Sequence, residues 1–118
     1  MQANTLVRVI DNSGVKWVKL IHRYGRANFA KLGEVLLVSC RIVNVKKKWK
    51  KGQKLKCVLI HMTRPFLRQC LLIKCSQNAV VVLKDNMDLK ATRVKGVIFK
   101  EFRYSKFRKL YTIGDFVL

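Results

Sequence analysis

Short apolar runs rich in β-branched side chains recur along most of the chain, and each is bounded by turn-forming residues. Runs of this length suit strands and are too short for packed helices, so they constrain the fold more than any other feature. Thr5-Leu6-Val7-Arg8-Val9-Ile10 stops at Asp11-Asn12-Ser13-Gly14, where Gly accepts a positive φ and Asp and Asn bond back to the local backbone. Val15 to Ile21 resumes with Lys16 and Lys19 turned away from the apolar set, which predicts a hairpin or strand pair. Gly33-Glu34 introduces Val35 to Val43, the longest strand candidate, apolar enough to be buried in part on both faces. Lys54-Leu55-Lys56-Cys57-Val58-Leu59-Ile60 alternates into another strand. Leu71-Leu72-Ile73 and Ala79 to Leu83, separated by Lys74 to Asn78, predict a further hairpin. Past Thr92-Arg93 the period changes: Ile98, Phe99, Phe102 and Phe107 fall at roughly helical spacing among basic residues, which predicts one short amphipathic helix.

Several strands and one late helix point to an all-β chain with minor α content, closed into a small barrel because closure removes exposed sheet edges. OB-like and SH3-like barrels are the usual candidates. The chain carries no internal repeat, Gly/Ser linker or composition break, so a single domain over residues 1–118 is expected. Half of the residues are hydrophobic, which supplies a core and argues against a disordered basic tail.

On that small surface sit 26 Lys and Arg against 6 Asp and Glu, a net charge of +20. Such self-repulsion destabilises an isolated compact state, and a polyanion relieves it. Nucleic acid is therefore the expected partner. The charge is concentrated: Lys46-Lys47-Lys48-Trp49-Lys50-Lys51 holds five lysines in six positions, and no acid lies between Lys46 and Lys84. A solvated charge run normally interleaves acids, so this one reads as the phosphate-binding tip of a long β-arm. The expected phosphate contacts are Lys46, Lys47, Lys48, Lys50, Lys51, Lys54, Arg64 and Arg68. Trp49 is placed either to stack on an unpaired base or ribose or to pack on its own arm. Neutralising ~8 phosphates would make log affinity fall with log salt at a slope of about −7. Specificity would come from RNA shape, since A-form helices hide their base edges in a deep groove.

Catalytic chemistry is poorly supplied. The six acids are dispersed, with no pairing closer than Asp85 and Asp88. His22, His61 and four cysteines invite a zinc site, but no Cys-x-x-Cys or His-x3–5-His spacing occurs. Cys40 and Cys57 occupy apolar strand positions, where a thiol is normally inert core. Gly-rich nucleotide loops are absent. The chain is accordingly expected to be no enzyme and to have no catalytic residue, metal or cofactor. Residues 1–14 contain no apolar run of signal-peptide length, and no stretch approaches the ~20 apolar residues of a membrane span, so reduced thiols and no membrane partner are expected. A zinc- or thiol-dependent enzyme and a free nucleic-acid-binding barrel module of a translation or transcription factor are the competing readings.

The order Asp11-Asn12-Ser13-Gly14, Gly33-Glu34, Lys50-Lys51-Gly52, Asn78-Ala79-Val80 and Thr92-Arg93, followed by Lys100-Glu101, Phe107, Lys109-Leu110 and Val117-Leu118, resembles the universal large-subunit ribosomal proteins of the L-fourteen family, in their bacterial or organellar form. The resemblance runs from Thr5 to Leu118. It implies a small five-stranded antiparallel β-barrel with a projecting basic β-ribbon and a short C-terminal helical segment. It further implies a structural constituent of the large ribosomal subunit that binds large-subunit rRNA near the subunit interface and supports bridges to small-subunit rRNA during translation. Implied protein partners are neighbours of the L-nineteen and L-three types and a ribosome-silencing factor, for which Thr92, Arg93 and Lys109 match the docking positions. The chain departs from the family pattern at Val45-Lys46-Lys47 in place of Pro-Arg-Gly, at Gln69-Cys70 in place of Asp-Gly, at Leu72 in place of an aromatic residue and at Gly96-Val97 in place of Gly-Pro. An excess of Lys, Ile, Leu, Phe and Asn, with no presequence before the family's usual start, leads to the expectation of a mitochondrial ribosome, with bacterial cytoplasm or plastid as alternatives.

Overall fold

The structure, a computed structural model, describes residues 4–24, 31–43, 50–84, 86–104, 107 and 109–118. Five strands close into a barrel in the order β1 (Leu6–Val9), β2 (Val15–Arg23), β3 (Val35–Val43), β4 (Lys54–His61) and β7 (Ala79–Leu83). Successive pairs are antiparallel, and the barrel closes through a short parallel pairing of β1 with β7 at Arg8↔Ala79 and Val9↔Val80. Side chains alternate across a strand. Val7, Val9, Val18, Leu20, Leu36, Val38, Cys40, Leu55, Cys57, Leu59, Val80 and Val82 therefore fill the interior as one cluster. Among the described residues none that is polar or charged falls in the fully buried class, so the core of the barrel is apolar.

A second layer covers one side of the barrel. It consists of β8 (Val94–Ile98), a 3-10 turn (Lys100–Tyr104), a one-turn helix α1 (Leu110–Ile113) and β9 (Gly114–Val117), with β8 and β9 paired in parallel. Val94, Ile98, Phe99, Phe102, Phe107 and Leu110 pack onto Val58, Ile60, Val81 and Leu83, the outward residues of β4 and β7. This explains why Ala79 to Leu83 reads as an unbroken apolar run: all five residues are buried. Gly114 sits where the layer is tightest. A Cβ there would overlap Ile98 Cγ1 and come within 3.0 Å of the Leu110 carbonyl oxygen, so the position admits only hydrogen.

Three expectations change. Two-sided burial belongs mainly to β4 and β7, whereas in β3 only Val35 reaches the second cluster. Leu71–Ile73 (β6) pairs with Phe66–Arg68 (β5) and not with Ala79–Leu83, because both edges of β7 are already taken by β1 and β4. The Gln69-Cys70 turn of that hairpin has φ of 45° and 68°, the left-handed pair that a two-residue hairpin turn demands. Finally, the phenylalanines at helical spacing do not share one helix. They lie at the end of β8, in the 3-10 turn and before α1, and converge because all of them cover the same barrel wall.

Candidate nucleic-acid interface

In β4 the alternation that sends Leu55, Cys57 and Leu59 inward leaves Lys54 and Lys56 outward. The register Lys56↔Leu83 sets them beside the end of β7, and so beside Lys84. The chain then turns back, with the Lys84 N–H donating to the Asp88 carbonyl at 2.7 Å and the Lys90 N–H donating to the Val82 carbonyl at 3.2 Å. The result is a cleft of about 560 Å³ lined by Lys54, Lys56, Lys84 and Lys90 together with Gln53, Asn86 and three leucines. No acid is among its described lining residues. The nearby Asp88 carboxylate accepts the Asn86 side-chain amide at 3.1 Å. Four ammonium groups in one concavity can neutralise adjacent phosphates of a nucleic-acid backbone.

Of the residues singled out by sequence, Lys50 and Lys51 are exposed on the turn that enters β4 and Lys54 lies in the cleft. That turn is fixed by Gly52 at φ 88°, whose N–H donates to the Cys40 carbonyl at 2.8 Å. Lys46, Lys47, Lys48 and Trp49, the expected tip of the projecting ribbon, lie outside the described residues. Arg64 is exposed in the connection between β4 and β5. Arg68 is differently engaged. Its Nε and Nη2 donate to the two carboxylate oxygens of Glu101, its Nη1 donates to the Leu118 backbone oxygen at 2.9 Å, and its guanidinium lies 5.8 Å from the centroid of the Phe99 ring. That bidentate pair holds Glu101 below the usual carboxylate range and raises Arg68 further. Arg68 therefore serves as a clamp between the β5–β6 hairpin and the second layer, with its guanidinium engaged within the protein.

Thr92 and Arg93 are exposed, and the structure joins them to the first turn. Asn12 Oδ1 accepts the N–H groups of Thr92 at 3.1 Å and Arg93 at 3.2 Å, while Asn12 Nδ2 donates to Thr92 Oγ1 at 3.0 Å. Next to it, Asp11 Oδ2 accepts the Val82 N–H at 2.9 Å and Oδ1 accepts the Ser13 hydroxyl at 2.6 Å. Burial pushes the Asp11 carboxyl up, and these bonds oppose the shift. The Asp11–Gly14 turn thus ties β1 to β7 and positions the Thr92-Arg93 segment. Lys109 is exposed at the head of α1, where its carbonyl accepts the Thr112 N–H at 3.0 Å.

Sequence reasoning missed Lys56, Lys84 and Lys90 as partners of Lys54. The Lys-x-Lys alternation at the start of β4 carried half of that signal, and the return of Lys90 depended on tertiary hydrogen bonds. It also missed the β5–β6 hairpin as an apolar surface: Leu67, Leu71 and Leu72 are 70%, 67% and 70% exposed. Cys40 and Cys57 lie inside the barrel, and burial raises both thiols, Cys57 strongly. Among the described residues no cluster of His, Cys, Asp and Glu could hold a metal, and no helix is long and apolar enough to cross a membrane.

Comparison with known proteins adds to this geometry. The family model described as ribosomal protein L14p/L23e matches residues 1–118. The large ribosomal subunit protein uL14 of Carsonella ruddii (strain PV) is similar, at 35% identity over 121 residues that cover 100% of this chain and 99% of that protein.

Proposed function

The chain belongs to the ribosomal protein L14p/L23e family, and from that membership we propose that it acts, as one domain, as a structural constituent of the large ribosomal subunit that binds large-subunit rRNA. The observation that carries the RNA-binding part is the cleft that gathers Lys54, Lys56, Lys84 and Lys90 on the barrel wall, with no acid among its described lining residues. Strand β4 places Lys54 and Lys56, and the hydrogen-bonded loop after β7 places Lys84 and Lys90, so the backbone brings four cations together to neutralise phosphates crowded at an rRNA junction. Lys50, Lys51 and Arg64 extend the cationic surface, and Lys46, Lys47 and Lys48 add phosphate contacts, with Trp49 stacking on an unpaired base or packing on its own arm. The protein's role is to fix the local fold of the RNA, not to turn over a substrate.

The finer assignments follow from the family. The bound rRNA lies near the subunit interface, where the protein supports bridges to small-subunit rRNA. The exposed leucines of the β5–β6 hairpin supply a protein-contact face suited to large-subunit neighbours of the L-nineteen or L-three type. Thr92, Arg93 and Lys109 form the dock of a ribosome-silencing factor, with the Asn12 clamp presenting the first two. The Carsonella relative fits a bacterial cytoplasm. A mitochondrial ribosome is proposed on composition alone, and fractionation of the source cell decides between them.

The test is incorporation. Tagged full-length chain should sediment with large subunits in high salt, and the variant with Lys47, Lys48, Lys50 and Lys51 replaced by Ala should incorporate poorly while keeping the circular dichroism of the barrel. Recovery of the chain only as free protein would favour an off-ribosome nucleic-acid-binding module. Normal incorporation of the variant would remove the arm from the RNA contact.

A further inference from the structure

A second cationic concavity, sharing no lining residue with the first, opens over the β1–β2 side of the barrel. It has a volume of about 540 Å³ and is lined by Arg8, Lys16, Trp17 and Lys95 together with Asp11 and the backbone of the first turn. Its construction differs from that of the lysine cleft in containing an aromatic ring. Trp17 is directly opposite Arg8 in the β1–β2 register and opposite Ile42 in the β2–β3 register. The β2–β3 pairing slips on either side of Trp17, from Val15↔Val43 to Trp17↔Ile42 and then to Val18↔Cys40. Irregularities of this kind re-aim a side chain out of strict alternation. Trp17 is accordingly only half-buried, between the buried Val15 and Val18.

Arg8, Lys16 and Lys95 are all exposed around it. Asp11, the one acid among the described lining residues, directs its carboxylate oxygens to the Val82 N–H and to the N–H and hydroxyl of Ser13, so it is occupied by the protein itself. An indole lining a concavity together with three cations supplies what an unpaired nucleotide requires: an aromatic surface for the base and countercharge for its phosphates. A continuous A-form helix, with its bases stacked on each other, offers nothing to the ring.

Resting on the reading of the chain as an rRNA-binding protein, we propose that Trp17 is a stacking platform for one unpaired rRNA base, with Arg8, Lys16 and Lys95 holding the phosphates on either side. The lysine cleft then grips backbone, while the Trp17 cleft reads whether the RNA is single-stranded at that point.

The experiment uses the full-length chain in the Trp49→Phe background, where Trp17 is the one remaining tryptophan. Single-stranded oligoadenylate RNA and an RNA duplex of equal length are the probes. The single strand should quench Trp17 fluorescence and the duplex should not. Trp17→Leu should weaken single-strand binding by about 5- to 150-fold, the range for losing one stacked base, while duplex binding changes by less than about 2-fold. Trp17→Phe keeps a ring of similar placement and should restore most of the single-strand affinity, which separates stacking from a folding defect. Equal quenching by both probes, an equal loss for both, or no effect of Trp17→Leu would overturn the proposal. Failure of both probes to bind at all would instead strike at the rRNA reading beneath it.

Discussion

Replacing Asn12 by Ala should cost more stability than its exposed position suggests. The side chain makes three hydrogen bonds to residues some 80 positions away, accepting from the Thr92 and Arg93 N–H groups and donating to Thr92 Oγ1. A hydrogen bond contributes ~0.5–1.5 kcal/mol net, and solvent access places these in the lower half of that range, so the loss should total about 1.5–3 kcal/mol. For a chain of this size that corresponds to a drop in Tm of very roughly 6–12 °C. Urea unfolding of the isolated full-length chain, in enough salt to screen its charge, measures the loss as a lower midpoint at constant slope. Asn12→Asp provides the internal control. It retains the oxygen that accepts both N–H groups and loses only the donation to Thr92, so it should lose about a third as much as Asn12→Ala. Amide exchange at Thr92 and Arg93 should accelerate in Asn12→Ala and much less in Asn12→Asp. If Asn12→Ala unfolds within about 0.5 kcal/mol of the parent, or if Asp is as damaging as Ala, the clamp does not hold this segment.

Three further outcomes follow from named contacts. Because the Arg68 hydrogen bonds lower the Glu101 carboxyl, its contribution to stability is complete above the unfolded carboxylate value of ~4.3 and is lost as pH falls through the lower folded value; Glu101→Gln should flatten that part of the acid limb, by less than about 1 kcal/mol because the group is 41% exposed, and parallel curves would contradict the pairing. Asp11 contributes with the opposite sign, since its folded value is raised, and comparing Glu101→Gln with the parent cancels it. Gly114→Ala should cost about 1–3 kcal/mol in thermal unfolding through the clash with Ile98 and Leu110, and a neutral result would show that the second layer gives way easily. Iodoacetamide under native conditions should modify exposed Cys70 first and leave buried Cys40 and Cys57 untouched until unfolding, as read by mass spectrometry; early labelling of Cys57 would contradict its place in the barrel.

The barrel was legible because its strands alternate. Val7, Val9, Leu36, Val38, Leu55, Cys57 and Leu59 are inward at every second position, and such a pattern has one reading. Burial on both faces erases the alternation, which is why Ala79 to Leu83 revealed a strand but not its partners. The β5–β6 hairpin was hidden by its turn: Gln69 and Cys70 adopt positive φ without the Gly or Asn that normally announces it. The phenylalanines of the second layer mimicked a helical period because one barrel wall selects apolar residues wherever the chain crosses it. For the interface, charge pointed to RNA but did not sort one cation from another. Arg68 looked like its neighbours until Glu101, 33 residues away, was seen to occupy its guanidinium. Lys84 and Lys90 joined Lys54 only through the pairing of β4 with β7 and the returning loop.

If RNA phosphates match the twenty surplus charges of this chain, binding to large-subunit rRNA must depend steeply on salt. With ~8 phosphates engaged, log affinity should fall against log salt with a slope of about −7, and replacing Lys54, Lys56, Lys84 and Lys90 by Gln should make that slope shallower by roughly 3.5. A slope near zero, or one that the four replacements leave unchanged, would contradict it.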